Sequence, residues 1–194
     1  MIIVVRSKGR FTLNKFEEKT IHSQEIFNGK IIKLQVDEVK LPNGKMAKRE
    51  IVKHPGAVGI IPITSDGKIL MVEQFRKPLE RSLLEIPAGK LEQGEEPDIT
   101  AARELEEETG FRANQLDYLT SFYTAPGFSD EVIHLYIATD LEKVENPLPG
   151  DEDEFVDLLE VDLESAATFV DEKRIYDAKT AYAVLYLQMK KVLG

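Results

Sequence analysis

The sequence predicts a mixed α/β fold: a sheet covered by helices, with an antiparallel β region at its N-terminal end. Three observations predict it. Short β-branched and aliphatic runs bounded by turn signals recur from Ile31 to Phe75. One helical stretch with recognisable ends interrupts them at Pro97–Thr109. Strand-like runs then resume, and two helical stretches close the chain.

Taken in order, Ile31–Lys40 and Met46–Lys53 are strand-like runs flanking Leu41-Pro42-Asn43-Gly44, where Asn-Gly is a hairpin signal. Val58–Ile63 and Ile69–Phe75 read as buried strands joined by Ser65-Asp66-Gly67. At Pro97–Thr109 proline suits the first helical turn, Gly110 suits a C-terminal cap, and Ile99, Ala102 and Leu105 offer an apolar stripe. Strands are expected at Gln115–Phe122, Val132–Ala138 and Phe155–Val161. Helices are expected at Leu163–Lys173 and Asp177–Val192, where Tyr182, Leu185 and Tyr186 are core or interface residues.

Composition narrows the function. At 194 residues the chain can build one domain, or one domain with a small appendage. A formal charge of −10 argues against a general nucleic-acid binder, which presents a basic surface to phosphates. The absence of cysteine excludes disulfides, thiolate metal sites and cysteine nucleophiles, and fits a cytoplasmic protein. No apolar run approaches the about eighteen residues that span a bilayer, and the opening segment lacks signal-peptide features, so no membrane partner is expected.

The chemistry concentrates in four glutamates within five positions: Glu104, Glu106, Glu107 and Glu108. On a helix Glu104, Glu107 and Glu108 share one face, whereas Glu106 points the other way, toward solvent. Like charges at these spacings repel, and carboxylates near a helix C-terminus oppose its dipole. A hard divalent cation bound through oxygen would offset both effects. The glutamates alone leave that reading level with a solvated charged face.

Their surroundings decide. Gly89, Glu95, Arg103, Glu104, Leu105, Glu107, Glu108, Gly110 and Phe111 fill every fixed position of G-x5-E-x7-R-E-U-x-E-E-x-G-U, with U a bulky apolar residue, over 23 residues. The segment resembles the signature of the Nudix hydrolases. Stretches Arg49–Val58, Glu73–Lys77 and Glu85–Gly89, with Pro126 placed 16 residues beyond Gly110, resemble the family's ADP-ribose pyrophosphatase branch from about Lys15 to Leu193.

That resemblance implies an α/β/α sandwich around a mixed sheet, with residues 1–54 as an N-terminal β region for dimerisation and substrate binding and 55–194 as the catalytic domain. It implies Mg2+, with Mn2+ as a substitute, on Glu104, Glu107, Glu108 and the Ala88 carbonyl. Arg103 would pair with Glu95 and hold the loop against the helix. The water-activating base would come from Asp151–Glu154, with Glu154 ahead of Glu152. Pro126 and Glu131 would lie on the substrate side, and Arg49 would stack on or contact the substrate. Arg76 is a phosphate contact or a surface ion pair; its place at a strand end and its bidentate donors suit the former.

The expected reaction is hydrolysis of ADP-ribose to AMP and ribose 5-phosphate by a homodimer. The alternatives are another nucleoside diphosphate sugar or dinucleotide as substrate, a non-catalytic ADP-ribose sensor, and a glutamate face that is merely solvated. His54 and His134 lack metal-ligand spacing, and His134 reads as a locally satisfied strand residue. Met1–Leu13 has no clear counterpart in the branch and reads as an extension or a misassigned start.

Overall fold

The computed structural model describes residues 15–150 and 155–193. The readings placed on Met1–Leu13, Glu152 and Glu154 lie outside these residues. By its internal contacts the chain forms two compact units, dividing between Lys53 and His54.

The first unit is an antiparallel sheet of β1 (Lys19–Asn28), β2 (Lys33–Lys40) and β3 (Met46–Lys53), in that order. The β2–β3 pairing runs without a slip from Lys33↔Lys53 to Lys40↔Met46. Its turn closes through the Leu41 amide on the Lys45 carbonyl at 2.8 Å, with Gly44 at φ 83°, a conformation glycine adopts at no steric cost. β1 is exposed along its whole length, Ile21, Ile26 and Phe27 included.

The second unit holds a four-stranded mixed sheet in the order β7 (Ala88–Lys90), β4 (Ala57–Pro62), β9 (Val132–Lys143), β8 (Phe111–Tyr123). β4 and β9 are parallel and the outer pairs antiparallel. A parallel pair needs a long crossover, and the chain between β4 and β9 carries β5 (Ile69–Arg76), β6 (Arg81–Glu85), β7, helix α1 (Pro97–Thr109) and β8. β5 and β6 join β10 (Val156–Val161) in a three-stranded antiparallel sheet, ordered β10-β5-β6. Helices α2 (Leu163–Asp171) and α3 (Ala178–Leu193) follow.

Two apolar clusters hold these layers. Val58, Ile60, Tyr136 and Ala138 of the mixed sheet meet Ala101 and Leu105 of α1 on one side. On the other, Ile61, Ile133 and Leu135 pack with Met71, Leu84, Ala166, Ile175, Ala183 and Val184, which carry the second sheet and the closing helices. The expected mixed sheet covered by helices is what forms. Each fully buried Leu or Ile contributes roughly 1.5–3 kcal/mol, so these clusters fix the strands that aim the loops.

Several details differ from the sequence reading. The buried stripe of α1 is Thr100, Ala101, Leu105 and Thr109, together with Glu104, Glu106 and Glu108; Ile99 is exposed, and so is Ala102. β6 and β7 carry too few β-branched residues to register as strands, and β7 spans three residues. Leu185 is exposed on α3, while Tyr182 meets the Phe122 ring at 5.5 Å between centroids.

Candidate active site

Three elements of the second unit build the site: β7, α1 and the loop between them. Pro97 opens α1 at its first turn, and Gly110 closes it at φ 73°, its amide bonding the Glu106 carbonyl at 2.8 Å. Between these ends Glu104 and Glu108 lie one turn apart, each only 8% exposed, and face β7. The Ala88 amide donates to Glu108 Oε2 at 2.9 Å. At Gly89 a Cβ would fall 1.9 Å from the Glu104 carboxyl carbon. No residue with a side chain fits at position 89 unless Glu104 moves, which is the physical reason the motif begins with glycine.

Arg103 joins the loop to the helix. Its Nε and Nη2 donate to Glu95 at 3.1 and 3.0 Å, and Thr100 Oγ1 donates to the same carboxylate at 2.8 Å. Its Nη1 turns inward, to Glu104 Oε1 at 2.9 Å and Glu107 Oε2 at 2.7 Å. The hydrogen bonds that Arg103 donates to Glu95, with the Glu104 and Glu107 charges, hold its guanidinium far above its usual range. Arg103 also holds Glu95 below the usual carboxylate range.

Three carboxylates, Glu95, Glu104 and Glu107, thus surround one guanidinium. Among the described residues no three His, Cys, Asp or Glu side chains close into a finished metal cage. The donor set is all oxygen, borne by closely spaced carboxylates over a glycine floor. It fits a hard divalent cation that keeps waters and shares its coordination with phosphate oxygens.

Glu107 also lines a cavity of about 650 Å³, with Glu73, Gln74, Phe75, Ser82, Gly150, Phe155, Val156 and Asp157. Gly150 and Phe155 flank the acidic segment 151–154. The loop before Gly150 is fastened to α1: the Val144 amide bonds the Gly110 carbonyl at 2.9 Å, and the Leu148 amide bonds Glu106 Oε1 at 3.1 Å. Glu106 is therefore not a solvated side chain. It is 4% exposed, and Arg112 Nε and Nη2 both donate to it. The Arg112 pair holds its carboxyl below the usual range.

The remaining expected residues fall as follows. Arg76, at the end of β5, grips Glu85 through Nε and Nη2 at 2.7 and 2.8 Å, a buried partner that the sequence reading did not include. Glu131 precedes β9 and accepts from Thr124 Oγ1; its Oε1 lies 3.7 Å from His54 Nδ1. Pro126 is exposed in the turn between β8 and β9. Across β4, Ile133 and Lys90 both pair with Ala57, so this turn shares the end of the sheet from which the Leu91–Glu95 loop departs. His134 Nδ1 lies 2.8 Å from Ser121 Oγ, a locally satisfied strand histidine. Arg49 belongs to the first unit. There its three nitrogens bond Glu18, at 2.7 and 2.6 Å, and the Lys48 carbonyl, at 3.0 Å.

The NUDIX domain model matches residues 53–182. The chain belongs to the Nudix family. A second model, the nucleoside diphosphate sugar hydrolase N-terminal domain, matches residues 18–52 and so covers the three-stranded sheet of the first unit. The chain is 58% identical to the ADP-ribose pyrophosphatase of Bacillus subtilis over 181 residues, 93% of this chain and 98% of that protein. It is 61% identical to a methanol dehydrogenase activator of Bacillus methanolicus over 92% of this chain and 96% of that protein. A crystal structure of an ADP compounds hydrolase superposes with a TM-score of 0.80 over 92% of this chain and 96% of that one, at 22% identity, which speaks to the Nudix fold. Nudix hydrolases generally need a divalent metal.

Proposed function

We propose that this Nudix chain hydrolyses ADP-ribose to AMP and ribose 5-phosphate. The observation that supports the chemistry is the placement of Glu104 and Glu108 against β7, with Glu107 joined to Glu104 through Arg103. The substrate rests on near full-length identity to an ADP-ribose pyrophosphatase.

Glu104, Glu107 and Glu108, with the Ala88 carbonyl, would hold Mg2+, for which Mn2+ can substitute. When bound, the divalent ion neutralises diphosphate oxygens and makes water a better nucleophile. Arg103 and Glu95 keep the loop against α1 and so fix the carboxylates. Arg76 retains Nη1 for a phosphate oxygen, since its other two nitrogens are spent on Glu85. A carboxylate of the 151–154 segment, Glu154 ahead of Glu152, takes the proton of the attacking water. Support for that choice is the placement of Gly150 and Phe155 in the same cavity wall as Glu107. The water oxygen adds to one phosphorus, and the bridging P–O bond breaks toward the other phosphate.

Pro126 and Glu131 form the substrate-side turn, and the planar face of Arg49 remains suited to stacking on a base. The protein acts in the cytoplasm as a homodimer. Support for the dimer is the exposure of Ile21, Ile26 and Phe27 on β1. Support for the compartment is the absence of cysteine.

The test is product analysis with Mg2+ across ADP-ribose, ADP-glucose, UDP-glucose, NADH and diadenosine polyphosphates. ADP-ribose giving AMP with the highest kcat/KM supports the reading. Another leading substrate keeps the chemistry and changes the specificity, and no turnover at all favours the sensor alternative.

A second reading has its own observation, the 61% identity to a methanol dehydrogenase activator. In that reading the chain raises the turnover of a methanol dehydrogenase. Adding wild-type protein and Glu104→Gln to such an enzyme separates stimulation that needs hydrolysis from stimulation by contact alone.

A further inference from the structure

The ion network behind Arg76 has no part in the signature motif. Glu85 ends β6 at 1% exposure and receives two hydrogen bonds from Arg76. The same carboxylate, at Oε2, receives Nζ of Lys179, which is 8% exposed near the start of α3. Lys179 Nζ also donates to Asp177 Oδ1 at 2.9 Å, and that oxygen accepts the Thr180 amide at 3.1 Å. Helix α3 thereby reaches the strand pair that carries Arg76.

Stability is a weak reason for such a network, because apolar residues of equal volume do as well as a buried ion pair. Its geometry suits another purpose. The two-pronged grip of Glu85 fixes one edge of the Arg76 guanidinium. The other edge, at Nη1, meets no protein acceptor among the described residues. The side chain is 38% exposed, and the Glu108 carboxylate is close enough to act on its charge. Lys179, bonded to the same carboxylate and to Asp177, fixes Glu85 from its other side and so fixes the edge of Arg76 that Glu85 holds.

We propose that Lys179 is a positioning residue for Arg76, acting through Glu85 to hold the free guanidinium edge toward the substrate diphosphate. The inference rests on the reading of Arg76 as the phosphate contact.

A double-mutant cycle in ADP-ribose hydrolysis tests it, with folding followed by thermal melting. Arg76→Ala is expected to raise KM by about ten-fold or more, the value of one lost charge-assisted hydrogen bond. Lys179→Met is expected to raise KM by roughly three- to ten-fold with kcat within about two-fold, and Lys179→Arg to recover most of the loss. On the Arg76→Ala background, Lys179→Met should add nothing further to KM. A folded Lys179→Met with wild-type KM, or with the same KM effect on both backgrounds, overturns the inference: Lys179 is then structural and moves only the melting temperature. Should Lys179→Met melt below the assay temperature, Asp177→Asn carries the test. It loosens Lys179 without removing it, and an unchanged KM overturns the inference equally. An Arg76→Ala enzyme with wild-type KM refutes the phosphate reading itself, a different outcome from the failure of Lys179 alone.

Discussion

At the scale of single residues, the site depends on close approaches that sequence periodicity describes in part. Gly89 is legible as a motif glycine, and its reason is steric: the Glu104 carboxyl occupies the space of a Cβ. Gly89→Ala must displace Glu104, and kcat/KM for ADP-ribose should fall by at least about ten-fold while far-UV circular dichroism stays native. Retained activity would mean that Glu104 is free to move. Glu106 was less legible. Helical spacing placed it away from Glu104, Glu107 and Glu108, and spacing gives direction without saying what lies there. The left-handed turn at Gly110 brings Arg112 back along the helix, and the Leu148 amide completes the partners. Glu106→Ala removes three hydrogen bonds and should melt roughly 2–8 °C lower. The metal-induced rise in melting temperature should survive, which distinguishes Glu106 from Glu104 in the same assay.

At the scale of elements, α1 and the long strands were readable because their patterns extend over many residues. β6 was not, since Arg81-Ser82-Leu83-Leu84-Glu85 has no β-branched residue and becomes a strand through its pairing with β5. For the same reason the Arg76–Glu85–Lys179 network stayed hidden: 94 residues separate Glu85 from Lys179, and a helical lysine ordinarily reads as solvated. That network predicts a pH effect. Burial pushes the Glu85 carboxyl up, but the Arg76 hydrogen bonds and the Lys179 charge outweigh it, so its pKa lies below the ordinary 4.5. The groups facing it are Arg76 on β5, Lys179 and Asp177 at the head of α3, and Glu108 of α1 through Arg76. The folded protein binds this proton less readily than the unfolded chain does. Its contribution to stability is therefore complete above pH 4.5 and is lost as pH falls below that value through the folded pKa. Glu85→Gln should flatten the fall of Tm with pH on the acid side. An identical slope in wild type and variant would remove Glu85 from the account.

For the molecule as a whole, the N-terminal sheet and the Nudix unit are separate compact bodies, and β1 offers Ile21, Ile26 and Phe27 to solvent. Exposed large apolar side chains on an edge strand mark interaction surfaces. The homodimer reading predicts twice the 21.9 kDa chain mass in light scattering, shifted toward 21.9 kDa by Ile26→Glu with Phe27→Glu. A wild-type mass of a single chain would contradict it. In the proposed mechanism the helix carboxylates bind a divalent ion, and this ion serves ADP-ribose hydrolysis. This mechanism is tested most directly by titrating Mg2+ into wild type and Glu104→Gln while following both the melting temperature and AMP release. Mg2+ is expected to raise Tm and switch on AMP release in the wild type, and to do neither in the variant. Cleavage of ADP-ribose that persists in a chelator, or at full rate in Glu104→Gln, would contradict it.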